Sequence, residues 1–148
     1  MLTRLEPTQI AAHWPTLKFG IENSLPPVAM EAGDKINKIY LSLLMGESDC
    51  WIQHKIVEGA TKILGMAVTR IMTDDNSGTK NLLIYCLYNY RPMEDEDWGE
   101  NFYIIKKYGK AKGCHRLIAY SNEKRLIDIT RKLGGSTEYT FLSLPIGG

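Results

Sequence analysis

The chain has 148 residues, 44% of them hydrophobic and 24% charged, which is close to the size and composition of one globular domain. Its 18 basic and 17 acidic residues leave a formal charge of +1, too even for a protein that binds nucleic acid by neutralising phosphates. No apolar run reaches the length of a membrane-spanning helix, and the first residues do not resemble a secretory signal. We therefore expect a single cytoplasmic domain over residues 1–148, without membrane or nucleic-acid partners.

The first part of the sequence predicts a short edge strand followed by helices. Residues 1–7 fit a strand that Pro7 ends. Apolar residues then recur every three or four positions from Ile10 to Ile21, which is helical spacing, and Pro15 within this run predicts a kink or two short helices. The next helical stretch presents one apolar face, formed by Ile36, Ile39, Tyr40, Leu43 and Leu44.

Three consecutive runs of strand-forming residues predict an antiparallel meander. Residues 50–56 alternate between apolar and polar, residues 63–72 form a second run, and residues 82–90 are almost continuously apolar. Turn-forming residues separate the runs at Glu58-Gly59 and at residues 74–78. The unbroken apolar run at residues 82–90 predicts a central strand that is covered on both faces.

The remaining sequence predicts helix, strand, helix and strand. An acidic loop at residues 94–97 precedes an amphipathic helix whose buried stripe begins with Trp98. Residues 116–120 fit a short strand, a helix that ends at Gly134 follows, and residues 137–146 fit a final strand.

The connection through the acidic loop and its helix also predicts how the sheet is ordered. The strand at residues 82–90 and the strand at residues 117–120 are expected to lie side by side and parallel, because a helical crossover joins them. The order of all the elements indicates an α+β fold with one mixed sheet.

The cysteines and histidines form no arrangement typical of a metal site or a disulfide framework. Cys50, Cys86 and Cys114 contain no CxxC pair, and the histidines have no HxH or HExxH spacing, so no metal is expected. Cys86 lies in the most apolar run, where a buried inert thiol is expected rather than a nucleophile.

Two segments and the order of the elements resemble the GNAT superfamily of N-acyltransferases. Residues 108–119, with the sequence YGKAKGCHRLIA, look like the family's third helix running through a glycine into the fifth strand. Residues 121–134, with the sequence SNEKRLIDITRKLG, are similar to the family's strand-end asparagine, fourth helix and closing glycine. The early helix pair and the meander match the family's front half. The likeness covers nearly the whole chain and extends to divergent GNAT-like proteins encoded by bacteriophages.

The resemblance implies a GNAT-like single mixed sheet in which the two central parallel strands splay apart between flanking helices. It also implies an acyl-CoA site in that cleft, with acetyl-CoA as the expected cofactor. The pantetheine arm would pair with strand backbone, and the diphosphate would lie on free N–H groups at the start of the third helix. The positions of this sequence that match cofactor-binding ones are Cys86, Leu87, Tyr88, Asn89, Gly99 and Asn122.

The cofactor loop departs from the family's pattern. The family cradles the diphosphate with an Arg or Gln and spaced glycines, but Glu96 and Trp98 stand where the two glycines are expected. Arg91 is the one upstream base. A bulky indole is expected to block close approach of the diphosphate, and the four carboxylates at residues 94–97 are expected to repel it.

The proton donor also departs from the pattern. Many family members have a tyrosine four residues before the closing glycine, and this chain has Thr130 there, whose hydroxyl is too weak an acid to replace a phenol. By residue type, His54, Glu58 or His115 could serve as a base and Tyr120 or Tyr88 as an acid. Tyr120, Glu58 and His54 are the candidates retained, but no spacing selects one of them.

Two classes of function remain open from the sequence. The first is a GNAT-like transferase that moves an acyl group from acyl-CoA to an amine of a small molecule or a protein. Such a transferase could act as a homo-oligomer. The second is a catalytically inactive GNAT-like module with a binding or structural role, for example in a virus particle. Residues 94–97 and Thr130 favour the second class, and the overall resemblance favours the first.

Overall fold

The runs of strand-forming residues build one five-stranded mixed sheet in the computed structural model, which describes residues 1–147. The strands lie in chain order across the sheet: β1 (Leu2–Arg4), β2 (Asp49–Val57), β3 (Ala60–Thr73), β4 (Lys80–Asn89) and β5 (Arg116–Ala119). The pairs β1–β2, β2–β3 and β3–β4 are antiparallel, and the pair β4–β5 is parallel. The α+β class, the meander, and the parallel pairing of the 82–90 and 117–120 strands are confirmed.

Among residues 1–147, five α-helices flank the sheet: α1 (Pro7–Ala12), α2 (Trp14–Glu22), α3 (Lys35–Leu44), α4 (Asp95–Ala111) and α5 (Lys124–Lys132). A short 3-10 turn lies between α2 and α3 at Pro27–Ala29. The predicted break near Pro15 is confirmed, because α1 ends before His13 and Pro15 lies in the first turn of α2. Proline is tolerated there, since the first backbone N–H groups of a helix have no partner within it. No helix among residues 1–147 is long and apolar enough to cross a membrane.

The predicted hairpin turn between β2 and β3 is also confirmed. Glu58 and Gly59 both have positive φ angles, of 52° and 76°. A two-residue turn of this kind matches the twist of the strands that it joins, and it favours glycine because a Cβ is strained at positive φ. The turn therefore fixes the register of β2 against β3.

The sheet buries an apolar core on each face. On one face, α1, α2 and α3 cover a cluster that includes Leu17, Leu43 and Val68. On the other, α4 and α5 cover clusters that include Ala67, Ile105 and Ile129. Val68 and Ala67 are adjacent in β3 and belong to different clusters, as alternation along a strand requires.

Two sequence predictions about element boundaries are wrong. The acidic residues 95–97 form the first turn of α4 instead of a loop, a position that the positive end of the helix dipole favours for carboxylates. The predicted strand at residues 137–146 is not formed, and its side chains are exposed, with Tyr139 at 94% and Leu142 at 85%. Alternation is a local property, whereas a strand needs a partner ladder, which these residues lack among residues 1–147.

Candidate functional site

The parallel strands β4 and β5 separate halfway along β4. Their register runs from Asn81 opposite Arg116 to Ile84 opposite Ala119 and then stops. At this point β4 carries an extra residue, Tyr85, because Val68 pairs with Cys86 and Thr69 pairs with Ile84. A bulge of this kind bends its strand and increases its twist. The backbone of residues 86–89 therefore has β3 on one side and, among residues 1–147, no strand on the other.

The side chains of these β4 residues alternate between the two faces of the sheet. Cys86 is buried beside the hydroxyl of Ser24, and burial raises the pKa of its thiol to about 12, so it is a poor nucleophile. Leu87 packs against the clusters beneath α4. Tyr88 makes an edge-to-face contact with Phe19, at 5.8 Å between ring centroids. The available groups for a ligand at this edge are therefore chiefly backbone N–H and C=O.

Asn89 and the phenol of Tyr90 complete the end of β4. The Oδ1 atom of Asn89 is buried without a hydrogen-bond partner among residues 1–147. Tyr90 donates its hydroxyl to the carbonyl of Thr16 at 2.6 Å, and burial raises its pKa above the usual range. The Tyr90 phenol is therefore committed to holding α2 against the sheet.

The N-terminus of α4 lies at the same end of the sheet as the separation of β4 and β5. Glu94 is the N-cap residue, and its side chain does not cap the helix. The indole of Trp98 points inward and is only 5% exposed. It stacks on the ring of Phe102, with 5.7 Å between the ring centroids. The expectation that this indole blocks the approach of a diphosphate is wrong, because the apolar ring is buried in the core. At Gly99 an added Cβ would meet nothing within 4 Å, so the helix surface there is open.

A base that the sequence does not single out lies at this helix end. Arg125 in α5 donates Nη2 to the carbonyl of Met93 and lies 3.2 Å from the carboxylate of Asp95. Its side chain is 51% exposed, so it faces both α4 and solvent. The contact spans 30 residues of sequence, and no local motif signals it. Arg125 offsets part of the negative charge that the sequence places at residues 94–97.

The three residues considered for acid–base work lie apart. Tyr120 directly follows β5 and is 41% exposed. Its ring packs edge-to-face against the ring of Phe141, with 5.1 Å between the ring centroids. Glu58 is at the tip of the β2–β3 hairpin, whose residues 60–64 extend about 16 Å beyond Gly65, the partner of Asn89. His54 is on β2, where its Nε2 bonds Thr3 Oγ1 at 3.0 Å. Of the three, only Tyr120 follows one of the two separating strands.

The remaining predicted positions are in and near α5. Asn122 is exposed in the loop between β5 and α5. Thr130 donates its hydroxyl to the carbonyl of Leu126 at 2.8 Å, so that proton is engaged inside the helix. Gly135 passes so close to Thr130 that an added Cβ would lie 2.7 Å from its Cγ2 atom, which explains why no larger residue stands there. Among residues 1–147, no group of three or more His, Cys, Asp or Glu side chains is placed to hold a metal ion.

Comparisons with known proteins find relatives by structure and none by sequence. No family model and no curated sequence matches the chain. A probable acetyltransferase is similar over 100% of this chain and 99% of its own, with 11% identity and a TM-score of 0.70. The aminoglycoside N-acetyltransferase AAC(6')-Iy, solved with a CoA-containing bisubstrate analogue, covers 100% and 98% with 13% identity and a TM-score of 0.69.

A third solved structure agrees with these two. A protein from Clostridium acetobutylicum described as a predicted acetyltransferase, solved with acetyl-CoA, covers 99% of this chain and 96% of its own, with 12% identity and a TM-score of 0.69. At identities this low, the structural similarity establishes the fold of the chain and does not establish its activity. The chain has the fold of the GNAT acetyltransferases.

Proposed function

We propose that the chain is an acyl-CoA-dependent N-acyltransferase that moves an acetyl group from acetyl-CoA to an amine of a small molecule. The observation that carries this proposal is the separation of β4 from β5 at Tyr85, which leaves the backbone of residues 86–89 free beside the N-terminus of α4. Two proteins with the same fold were solved with CoA-type ligands, and one of them is an aminoglycoside N-acetyltransferase. An amine of a small, polycationic molecule is the matching acceptor class.

The residues at this edge fit a CoA-type cofactor. Backbone groups of residues 86–89 would pair with the amides of the pantetheine arm, as an added strand does. The start of α4 is open at Gly99, and the inward indole of Trp98 leaves room beside it. Arg125 and the exposed Arg91 supply positive charge for a diphosphate at this helix end. When bound, acetyl-CoA supplies the reactive thioester.

In this proposal, Tyr120 is the acid that protonates the departing sulfur of the cofactor. Its phenol stands at the carboxyl end of β5, where the cleft opens, and it is 41% exposed. The Oη atom would hold the proton that the departing sulfur needs. Thr130 cannot take this role, because its hydroxyl proton is held by the carbonyl of Leu126.

The test combines binding with turnover. Calorimetry measures the affinity of the full chain for acetyl-CoA, and a thiol-release assay measures turnover with a panel of amines that includes aminoglycosides. Tyr120→Phe is expected to lower turnover by about 10²-fold or more while leaving the affinity unchanged. Tyr103→Phe is the matched control, since Tyr103 is 67% exposed on α4. Absence of acetyl-CoA binding in the unmodified chain would refute the proposal.

A further inference from the structure

One apolar side chain in the exposed segment at residues 137–146 is half covered. Four other apolar side chains of this segment are at least 85% exposed: Tyr139, Leu142, Leu144 and Ile146. Phe141 is 45% exposed, and its ring packs on the ring of Tyr120 at an interplanar angle of 72°. Single apolar side chains on a surface are common and need no explanation. This one lies against the residue that holds the proton in the proposed reaction.

We infer that Phe141 is a positioning residue for Tyr120, an inference that rests on the proposed function. The ladder between β4 and β5 ends at Ala119, one residue before Tyr120. The sheet therefore fixes the backbone that leads into Tyr120 and leaves the direction of its side chain to other contacts. The packing on Phe141 is the one aromatic contact that Tyr120 makes among residues 1–147. Because edge-to-face packing has a preferred geometry, this contact selects the direction of the phenol.

The segment that carries Phe141 is itself attached to α5. Arg131, in the last turn of α5, donates Nε to Thr137 Oγ1 at 2.8 Å. A chain that advances four residues spans at most about 14 Å, so the ring of Phe141 stays within reach of this attachment. The segment thus joins α5 to the carboxyl end of β5, where Tyr120 lies.

The direction of the phenol matters because proton transfer needs a short contact. A general acid must lie within about 2.6–3.2 Å of the atom that it protonates, and a displacement on the order of 1 Å slows the reaction. Phe141 therefore acts on turnover through Tyr120. The affinity for acetyl-CoA depends on other groups in the proposal, namely the backbone of residues 86–89 and the start of α4.

Phe141→Ala in the full chain tests this inference. Its kcat is expected to fall by about three- to tenfold, the value of one aromatic pair, while the Kd of acetyl-CoA and the urea midpoint stay unchanged. Phe141→Tyr keeps the ring and is expected to retain kcat. Tyr139→Ala is the matched control, since Tyr139 lies two residues earlier, is 94% exposed and should leave kcat unchanged.

A double variant separates positioning from a general structural effect. Tyr120→Phe leaves no phenolic proton to direct, so adding Phe141→Ala to it is expected to cause no further loss of kcat. Losses that multiply in the double variant would overturn the inference. A full kcat in Phe141→Ala, with a lowered kcat in Tyr120→Phe, would overturn the inference alone and leave the proposed function standing. A full kcat in Tyr120→Phe would refute the proposed role of Tyr120 and this inference with it.

Discussion

The guanidinium of Arg125 lies 3.2 Å from the carboxylate of Asp95, so a base in α5 faces the most acidic turn of the chain. The same guanidinium donates to the carbonyl of Met93, just before α4 begins. An exposed ion pair alone contributes little to stability, and the bond to a backbone carbonyl adds positional order. Arg125 therefore sets the position of the segment that leads into α4, and it brings positive charge to the proposed diphosphate site.

Arg125→Ala is expected to weaken the binding of acetyl-CoA by about tenfold, the loss of one charge-assisted hydrogen bond. Calorimetric titration of both proteins measures this. Arg131→Ala is the control, since Arg131 lies on the same helix and bonds Thr137 instead of α4. Equal affinities for the Arg125 variant and the unmodified chain would place the diphosphate away from this helix end.

Neutralising residues 94–97 is expected to tighten the binding of acetyl-CoA. Each carboxylate near an anion at a helix N-terminus opposes it by roughly 0.3–1 kcal/mol, so the four changes to Gln or Asn are expected to gain about tenfold or more at low salt. The gain should shrink as salt screens the charges. Calorimetry at two salt concentrations measures both effects.

The control for this experiment removes four acids elsewhere on the surface. Glu31, Glu47, Asp75 and Glu138 are exposed and outside α4, so their neutral variants should leave the affinity nearly unchanged. A similar gain in this control would make the effect one of net charge rather than of the α4 N-terminus. No gain in either protein would show that the four carboxylates do not face the diphosphate.

Trp98→Ala is expected to lower the free energy of unfolding by about 3–5 kcal/mol, as other buried aromatic truncations do. The indole is 5% exposed and packs in the cluster of Ile84, Met93, Phe102 and Ile129. Urea denaturation measures the loss. Tyr103→Ala, which removes an exposed ring from the same helix, should change the value by at most about 0.5 kcal/mol.

Stability is expected to fall in alkaline solution between pH 9 and pH 12. Burial raises the pKa of Cys50 and of Cys86 from 9.0 to about 12. Burial, followed by the hydrogen bond to Asp49, raises the pKa of Tyr108 from 10.0 to about 12. The folded state favours the neutral forms, so their contribution is complete below the unfolded-state pKa and is lost as the pH rises toward the folded-state pKa.

Urea midpoints measured across this pH range test the alkaline prediction. Tyr108→Phe should flatten the fall above pH 10, because the group that titrates between 10 and about 12 has been removed. Tyr103→Phe removes an exposed phenol and should leave the slope as it is. A midpoint that stays constant from pH 9 to pH 12 would contradict the burial of these three groups.

Most of the fold could be predicted because its signals are local. Pro15 divides the first helices, Glu58-Gly59 carries a hairpin turn, and the apolar run of β4 indicates a strand inside the sheet, where β4 lies fourth of five between β3 and β5. The parallel pairing of β4 with β5 could be predicted because a helix joins the two strands, and such a crossover normally places two strands of one sheet parallel. Trp98 was placed in the core by helical spacing alone, and its burial is confirmed.

The parts of the site that could not be predicted depend on contacts between distant residues. The bulge at Tyr85 exists only in the register of β4 against β3, and the approach of Arg125 to Asp95 joins two helices. The family's glycine pattern also led to a wrong expectation for Trp98, since it aligns this residue with a glycine of the cofactor loop but does not show that the ring turns into the core. The proposed roles of Tyr120 and of residues 86–89 stay predictions.

The uncovered segment at residues 137–146 has a consequence for proteolysis. Tyr139, Leu142 and Leu144 are 94%, 85% and 87% exposed and lie outside any helix or strand. A protease of chymotrypsin's specificity needs such a chain, with an accessible large apolar side chain and backbone free of a ladder. Cleavage there would release the end of the chain and leave the five-stranded sheet and both of its cores in place.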